Sequence, residues 1–205
     1  VPIGTADWQT VKTTQNSWVA ADLARSGRRA VAAVYANFAG GADAHGELLT
    51  SADDGRTWTT GPDPCGTGDY AAEQITMTAD GSTIVLCGST TASGPPRIIT
   101  STDGGASFGS PHDAPAATLD FGASSKSTLF VCTLEGRTLR LYRTGNGGTQ
   151  WTVVAIAPDT VADGAVAPTR IVFPSDPAHG WWLPGYATAF STTDAGRTWN
   201  PFMVG

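Results

Sequence analysis

An eight-residue pattern returns four times along this chain and constrains its fold more than any other feature. Ser51-Ala52-Asp53-Asp54-Gly55-Arg56-Thr57-Trp58 recurs as Ser101-Thr102-Asp103-Gly104-Gly105-Ala106-Ser107-Phe108 and as Thr192-Thr193-Asp194-Ala195-Gly196-Arg197-Thr198-Trp199. A more divergent copy, Thr144-Gly145-Asn146-Gly147-Gly148-Thr149-Gln150-Trp151, lies between them. The positions Asp53, Asp103, Asn146 and Asp194 are spaced 50, 43 and 48 residues apart. Such a period marks one supersecondary unit stacked several times. Within the pattern, an Asp or Asn accepts hydrogen bonds from the N–H groups of its own turn. Gly55, Gly105, Gly148 and Gly196 supply the positive φ that the turn requires. Trp58, Phe108, Trp151 and Trp199 then open the next strand and can pack between neighbouring sheets.

Strand signals repeat in the same order around each copy. They fall at 18–23, 30–36, 47–50 and 57–60, then at 74–78, 83–87 and 97–100 with a weak fourth from Ser107. The third unit reads 117–121, 128–133, 138–143 and 150–155, and the fourth 169–173, 180–183, 187–191 and 198–203. Four strands per repeat of this length is the period of a β-propeller blade. The composition agrees: 25 Gly and 13 Pro, with only 15% charged residues, suit an all-β chain rich in turns rather than one built on long helices. The expected fold is therefore all-β, a single β-propeller domain over residues 1–205 with four recognisable four-stranded blades, at about 13–60, 61–109, 110–156 and 157–205. We label the strands of a blade A to D, with the repeated turn joining C to D.

The four copies resemble the Asp box, or bacterial neuraminidase repeat, of a large group of propellers, and the likeness covers nearly the whole chain. Asp176-Pro177-Ala178-His179-Gly180-Trp181, followed by Gly185 and the last box, looks like the photosystem II stability/assembly factor-like branch. The wider group includes sialidases, other glycosidases, receptors and plain binding modules, so the resemblance implies the fold and leaves the activity open. Its members usually close a ring of six or more blades. Residues 4–12 could be a closing strand or the remnant of a missing blade. A closed ring of four, a fragment of a longer propeller and two associating half-rings are all compatible with the sequence. The cost of unpaired edges favours the closed ring.

The resemblance places ligand sites on the face formed by D–A and B–C loops, opposite the boxes. Candidate catalytic residues there are Asp43, Tyr70 and Glu73, a carboxylate and Tyr–Glu set of the kind glycoside cleavage uses. Candidate ligand-binding residues are Phe38, His45, Asp69, Arg97, His112, Arg137 and Tyr186. Sialidases also carry an Arg-Ile-Pro motif before the first box, and none occurs here. Cys65 and Cys87 approach the same face and are the expected disulfide, with Cys132 left as a buried thiol. That bond suits an extracellular or cell-envelope location.

A net charge of −6 without a basic run argues against a nucleic-acid partner. No apolar run is long enough for a membrane span, and neither a metal nor a cofactor is expected. The chain thus reads as a secreted binding module for a carbohydrate or protein ligand. The alternatives are a sialidase-like glycoside hydrolase using the same face, and self-association if four blades leave the ring open.

Overall fold

A computed structural model describes residues 18–36, 45–66, 70–89, 94–160, 169–174, 176–185 and 188–203. The possible closing strand at residues 4–12 lies outside them. Four separate antiparallel sheets of four strands follow one another along the chain, forming a four-blade β-propeller. The first blade holds β1 (Trp18–Ser26), β2 (Arg29–Ala36), β3 (His45–Ser51) and β4 (Thr59–Pro62). The second holds β5 (Tyr70–Met77), β6 (Thr83–Ser89), β7 (Arg97–Ser101) and β8 (His112–Asp113). The third holds β9 (Thr118–Ala123), β10 (Leu129–Glu135), β11 (Thr138–Thr144) and β12 (Thr152–Thr160). The fourth holds β13 (Arg170–Val172), β14 (Gly180–Leu183), β15 (Thr188–Thr192) and β16 (Asn200–Met203).

Each repeated turn is closed by the same hydrogen bonds. In the first, Thr57 N–H donates to Asp53 Oδ1 at 2.9 Å and Gly55 N–H to Ser51 Oγ at 2.9 Å. Asp103 receives Ser107 N–H, Asn146 receives Gln150 N–H, and Asp194 receives Thr198 N–H in the same way. The glycines closing these turns have φ between 72° and 103°. The donors hold the acids in their charged form. Bonds from Thr57 bring the Asp53 pKa down to about 2, and bonds from Thr198 do the same for Asp194.

Alternation along each strand gives every blade two apolar faces, and three cores form where consecutive blades meet. Val31, Ala33 and Leu48 meet Ile75, Val85 and Ile99 between the first two blades. Ile84, Leu86 and Ile98 meet Phe121, Leu129 and Val131 at the next seam. Phe130, Cys132 and Leu141 meet Ile171, Trp182 and Phe190 at the third. Trp181 and Trp182, adjacent in β14, point to opposite faces, and only Trp182 is buried. No comparable packing joins the fourth blade to the first among the described residues.

The weak fourth strand expected from Ser107 is displaced. Gly109 N–H bonds Thr100 O at 2.9 Å, Pro111 has no N–H to give, and ladder pairing resumes only at His112 and Asp113, opposite Ile98 and Arg97. His112 is therefore a strand residue rather than part of a loop.

The box glycines set how closely blades approach. A Cβ at Gly196 would overlap the ring of Phe130 in the preceding blade, and φ is +72° there. Gly196→Ala is expected to destabilise the protein by about 3 kcal/mol, combining left-handed strain with overpacking. Urea unfolding of the two proteins checks this.

Candidate functional site

A β-bulge precedes the midpoint of the inner strand in three blades. Register breaks fall between Ala20 and Asp22, between Ala72 and Gln74, and opposite Cys132 and Thr133. The extra residue re-aims the side chain that follows it. Asp22, Gln74 and Asp120 consequently point across the seam into the next blade. Asp22 Oδ2 accepts Ile75 N–H at 2.9 Å, Gln74 Oε1 accepts Phe121 N–H at 3.2 Å, and Asp120 Oδ2 accepts Ile171 N–H at 2.7 Å. Gln74 Nε2 also donates to Leu119 O at 3.0 Å.

The four inner strands line a central cavity of about 390 Å³ containing Asp22, Gln74, Asp120 and Arg170. Asp120 is 4% exposed, and desolvation pushes its pKa up to about 7 despite the Ile171 N–H and the Arg170 charge. Burial likewise pushes the Cys132 thiol up to about 12. Asp22, Gln74 and Asp120 of this series were not among the candidates read from the sequence. The available signal was one polar residue immediately before Leu23, Ile75, Phe121 and Ile171, at the same place in every repeat.

On the face opposite the boxes, the second blade gathers a second cluster. The Cys65–Cys87 disulfide ties the β4–β5 connection to β6. Asp63 accepts Cys65 N–H at 2.8 Å and Ala72 N–H at 3.4 Å, and burial raises its pKa. The Arg97 guanidinium lies 4.0 Å above the Tyr70 ring, whose hydroxyl donates to Pro95 O at 3.4 Å. Arg97 Nε stands 3.7 Å from Asp113 Oδ1, and Asp113 O accepts Trp151 Nε1–H at 3.2 Å from the third blade. The bulge residue Glu73 is exposed overall, but its carboxyl folds over Gly88, where desolvation raises its pKa.

Of the candidates, Tyr70 and Arg97 are brought together, while no hydrogen bond joins Tyr70 to Glu73. His112 is turned away from them, with its Cβ against the Gly148 turn of the next blade. Arg137 follows Gly136 in the exposed β10–β11 turn. His45 opens β3, paired with Ala36. Asp43, Phe38, Asp69 and Tyr186 lie outside the described residues. Among the described residues no group of three or more His, Cys, Asp or Glu is placed to hold a metal.

Neither a protein-family model nor a curated protein matches the chain. Solved structures do. The chain is similar to a point mutant of the NanB sialidase from Streptococcus pneumoniae, with a TM-score of 0.61 and 12% identity over 98% of this chain and 54% of that one. Against a chain of a nidogen–laminin complex the TM-score is 0.58 at 10% identity, over 92% and 66% of the two chains. Against YCF48 from Cyanidioschyzon merolae it is 0.54 at 17% identity, over 98% and 60%. By fold, the chain is a four-blade β-propeller. At these identities the likeness extends to the fold alone, and the chain spans little more than half the length of the NanB and YCF48 chains it matches.

Two outcomes follow for this propeller. A carboxyl whose folded pKa exceeds its unfolded value makes its full contribution to stability below the unfolded pKa, and that contribution is lost as pH rises through the folded one. Wild type should therefore lose on the order of 2–4 kcal/mol relative to Asp120→Asn between pH 4 and pH 8, because the Asn amide can still accept the Ile171 N–H. Denaturant melts of both proteins at the two pH values read this difference. Gly88→Ala should push the Glu73 carboxyl into solvent and return its pKa toward the ordinary range, with stability changed by less than about 1 kcal/mol. An NMR titration of the Glu73 side chain reads the shift.

Proposed function

We propose that this propeller is a non-catalytic binding module whose second-blade loop face engages a protein ligand. The observation that carries the reading is Arg97, fixed over Tyr70 and beside Asp113 on a face tied down by the Cys65–Cys87 disulfide. A guanidinium held this way is prepared to pair with a carboxylate or backbone carbonyl, and little side-chain entropy remains to be lost on binding. Arg97 also covers the ring face on which a sugar would stack, which favours a protein over a carbohydrate ligand. One chain of a nidogen–laminin complex shares this fold, in keeping with such use of it.

Two described carboxyl groups on this face are committed to structure. Asp63 holds two backbone N–H groups, and Glu73 is folded against Gly88. A sialidase-like hydrolase remains the second reading because the raised pKa of Glu73 is what a general acid needs. The disulfide suits an extracellular or cell-envelope location for either activity.

The test is a peptide and glycan display with wild type and Arg97→Ala, alongside fluorogenic sialoside and glycoside assays. Binding to peptides that drops at least tenfold in Arg97→Ala, without turnover, is the expected result. Turnover abolished by Glu73→Gln would replace the binding reading with the hydrolase.

A further inference from the structure

The third repeated turn departs from the other three in a way that closing the turn does not require. In those three the box acid uses both oxygens locally. Asp53, Asp103 and Asp194 each accept a backbone N–H on Oδ1, and the hydroxyl of Thr57, Ser107 or Thr198 on Oδ2 at 2.5–2.7 Å. In the third turn, Asn146 Oδ1 accepts Gln150 N–H at 3.0 Å and the Thr144 hydroxyl at 2.8 Å. Those two bonds fix the amide orientation and set Nδ2, a donor, where the other turns set an acceptor. Gln150 stands in the place of Thr57, Ser107 and Thr198, so no hydroxyl meets the amide there. Asn146 is exposed, and its Nδ2 has no hydrogen-bond partner among the described residues.

A second departure lies beside it. Thr50, Thr100 and Ser191 hold one station in the third strand of their blades, opposite Val31, Ile84 and Trp181. The third blade has Arg143 there, opposite Phe130. Its guanidinium lies between two turns. Nη1 stands 3.5 Å from where a Cβ on Gly145 would lie, and Nε donates to Ala195 O of the fourth box at 3.5 Å. Arg143 is half-buried, and desolvation together with the charge of Arg197 lowers its pKa. Asp194 opposes that lowering, but donors of its own turn already engage both its oxygens. Arg25 and Arg28 share Asp54 as a partner, whereas neither Arg143 nor Arg197 forms an ion pair among the described residues.

We propose that Arg143, Arg197 and the Asn146 amide form a binding site for a tetrahedral oxyanion, a phosphate or sulfate group, on the box face where the third and fourth blades meet. Both guanidiniums and the free amide nitrogen present donors only. Two guanidiniums brought together without a carboxylate are stabilised by a bound anion, and a doubly charged one balances both. The surrounding charge agrees. Residues 124–128 and 144–151, the turns of the third blade on this face, contain Lys126 and no acid. Each other blade has at least one acid in the corresponding turns, in a chain of net charge −6. An Asp at position 146 would set a carboxylate against the anion. Asn keeps the turn closed and removes that charge.

Donors come from the third blade and from the fourth, a spread that the oxygens of a phosphate or sulfate ester match and the two coplanar oxygens of a carboxylate do not. The site is separate from the second-blade loops, which lie at the other end of the strands. Substitutions taken from the chain's own repeats dismantle it while respecting the fold. Asn146→Asp installs the acid of the other three boxes, and Arg143→Thr installs the residue that the first two blades carry at that station.

The experiment is a titration of the full 205-residue chain with inorganic phosphate. Ionic strength is held constant with chloride, and NMR follows the Arg143 and Arg197 Nε–H and Asn146 Nδ2–H signals. Saturable shifts of all three are expected in wild type. Binding should weaken about tenfold or more in Asn146→Asp and in Arg143→Thr, and stay unchanged in Arg28→Ala. Circular dichroism confirms the fold of each variant. Repeating the titration with inorganic sulfate distinguishes the two sources of the group, the tighter binder naming the ester. Acetate that binds as tightly as phosphate overturns the tetrahedral assignment. Shifts that grow linearly without saturation, or an Arg28→Ala chain weakened as much as Arg143→Thr, overturn the site in favour of diffuse charge. Full affinity in Asn146→Asp overturns it as well.

Discussion

Turning four separate sheets into one molecule requires a partner for the backbone N–H that each inner strand presents toward the preceding blade. A buried unpaired amide is costly, and the next sheet in the series is too far away to supply a ladder bond. The acceptor comes from a side chain of the blade before: Asp22 for Ile75, Gln74 for Phe121 and Asp120 for Ile171. Each bond fixes the position of one blade against its neighbour. The bulges that aim these side chains, the cores that fill the seams and the cavity at the centre all follow from that handover.

The repeated turns do a different job at the other edge of the sheets. Their acids face solvent and are saturated by local donors, so Asp53, Asp103 and Asp194 stay ionised with pKa values well below the ordinary carboxylate range. Carboxylates held that way are poor proton donors. The acidic turns matter to function only by setting the blades' spacing, through glycines that lie directly on the preceding blade. Acid–base chemistry is left to the opposite face and to the centre.

On that opposite face, charge is combined with rigidity. Arg97 is neutralised on one side by Asp113 and supported from below by Tyr70, while the disulfide and Asp63 anchor the connection beside it. The fourth blade presents the contrasting surface, where Val172, Trp181 and Leu183 are each 40% exposed. The two surfaces differ in chemistry because one ends in loops and the other in strands.

Four blades of four strands were legible in the sequence because each unit carries its own turn chemistry and its own alternation. Those are local properties, readable wherever Asp, Gly and an aromatic residue recur at fixed spacing. The misplaced fourth strand of the second blade shows the limit, since Gly109 and Pro111 delay pairing until a neighbour for His112 exists. The approach of Cys65 and Cys87 was readable from strand order, whereas the stacking of Arg97 on Tyr70 needed the loop geometry. The handover residues were visible only as isolated polar letters, and their meaning depends on which strand lies next door. The sequence by itself determined the blade, its turn and its two apolar faces. Tertiary structure alone decided which face meets which, why Asp120 is buried while Arg170 is not, and why Trp182 is buried while its neighbour Trp181 is not, because those outcomes depend on contacts between blades rather than on order within one.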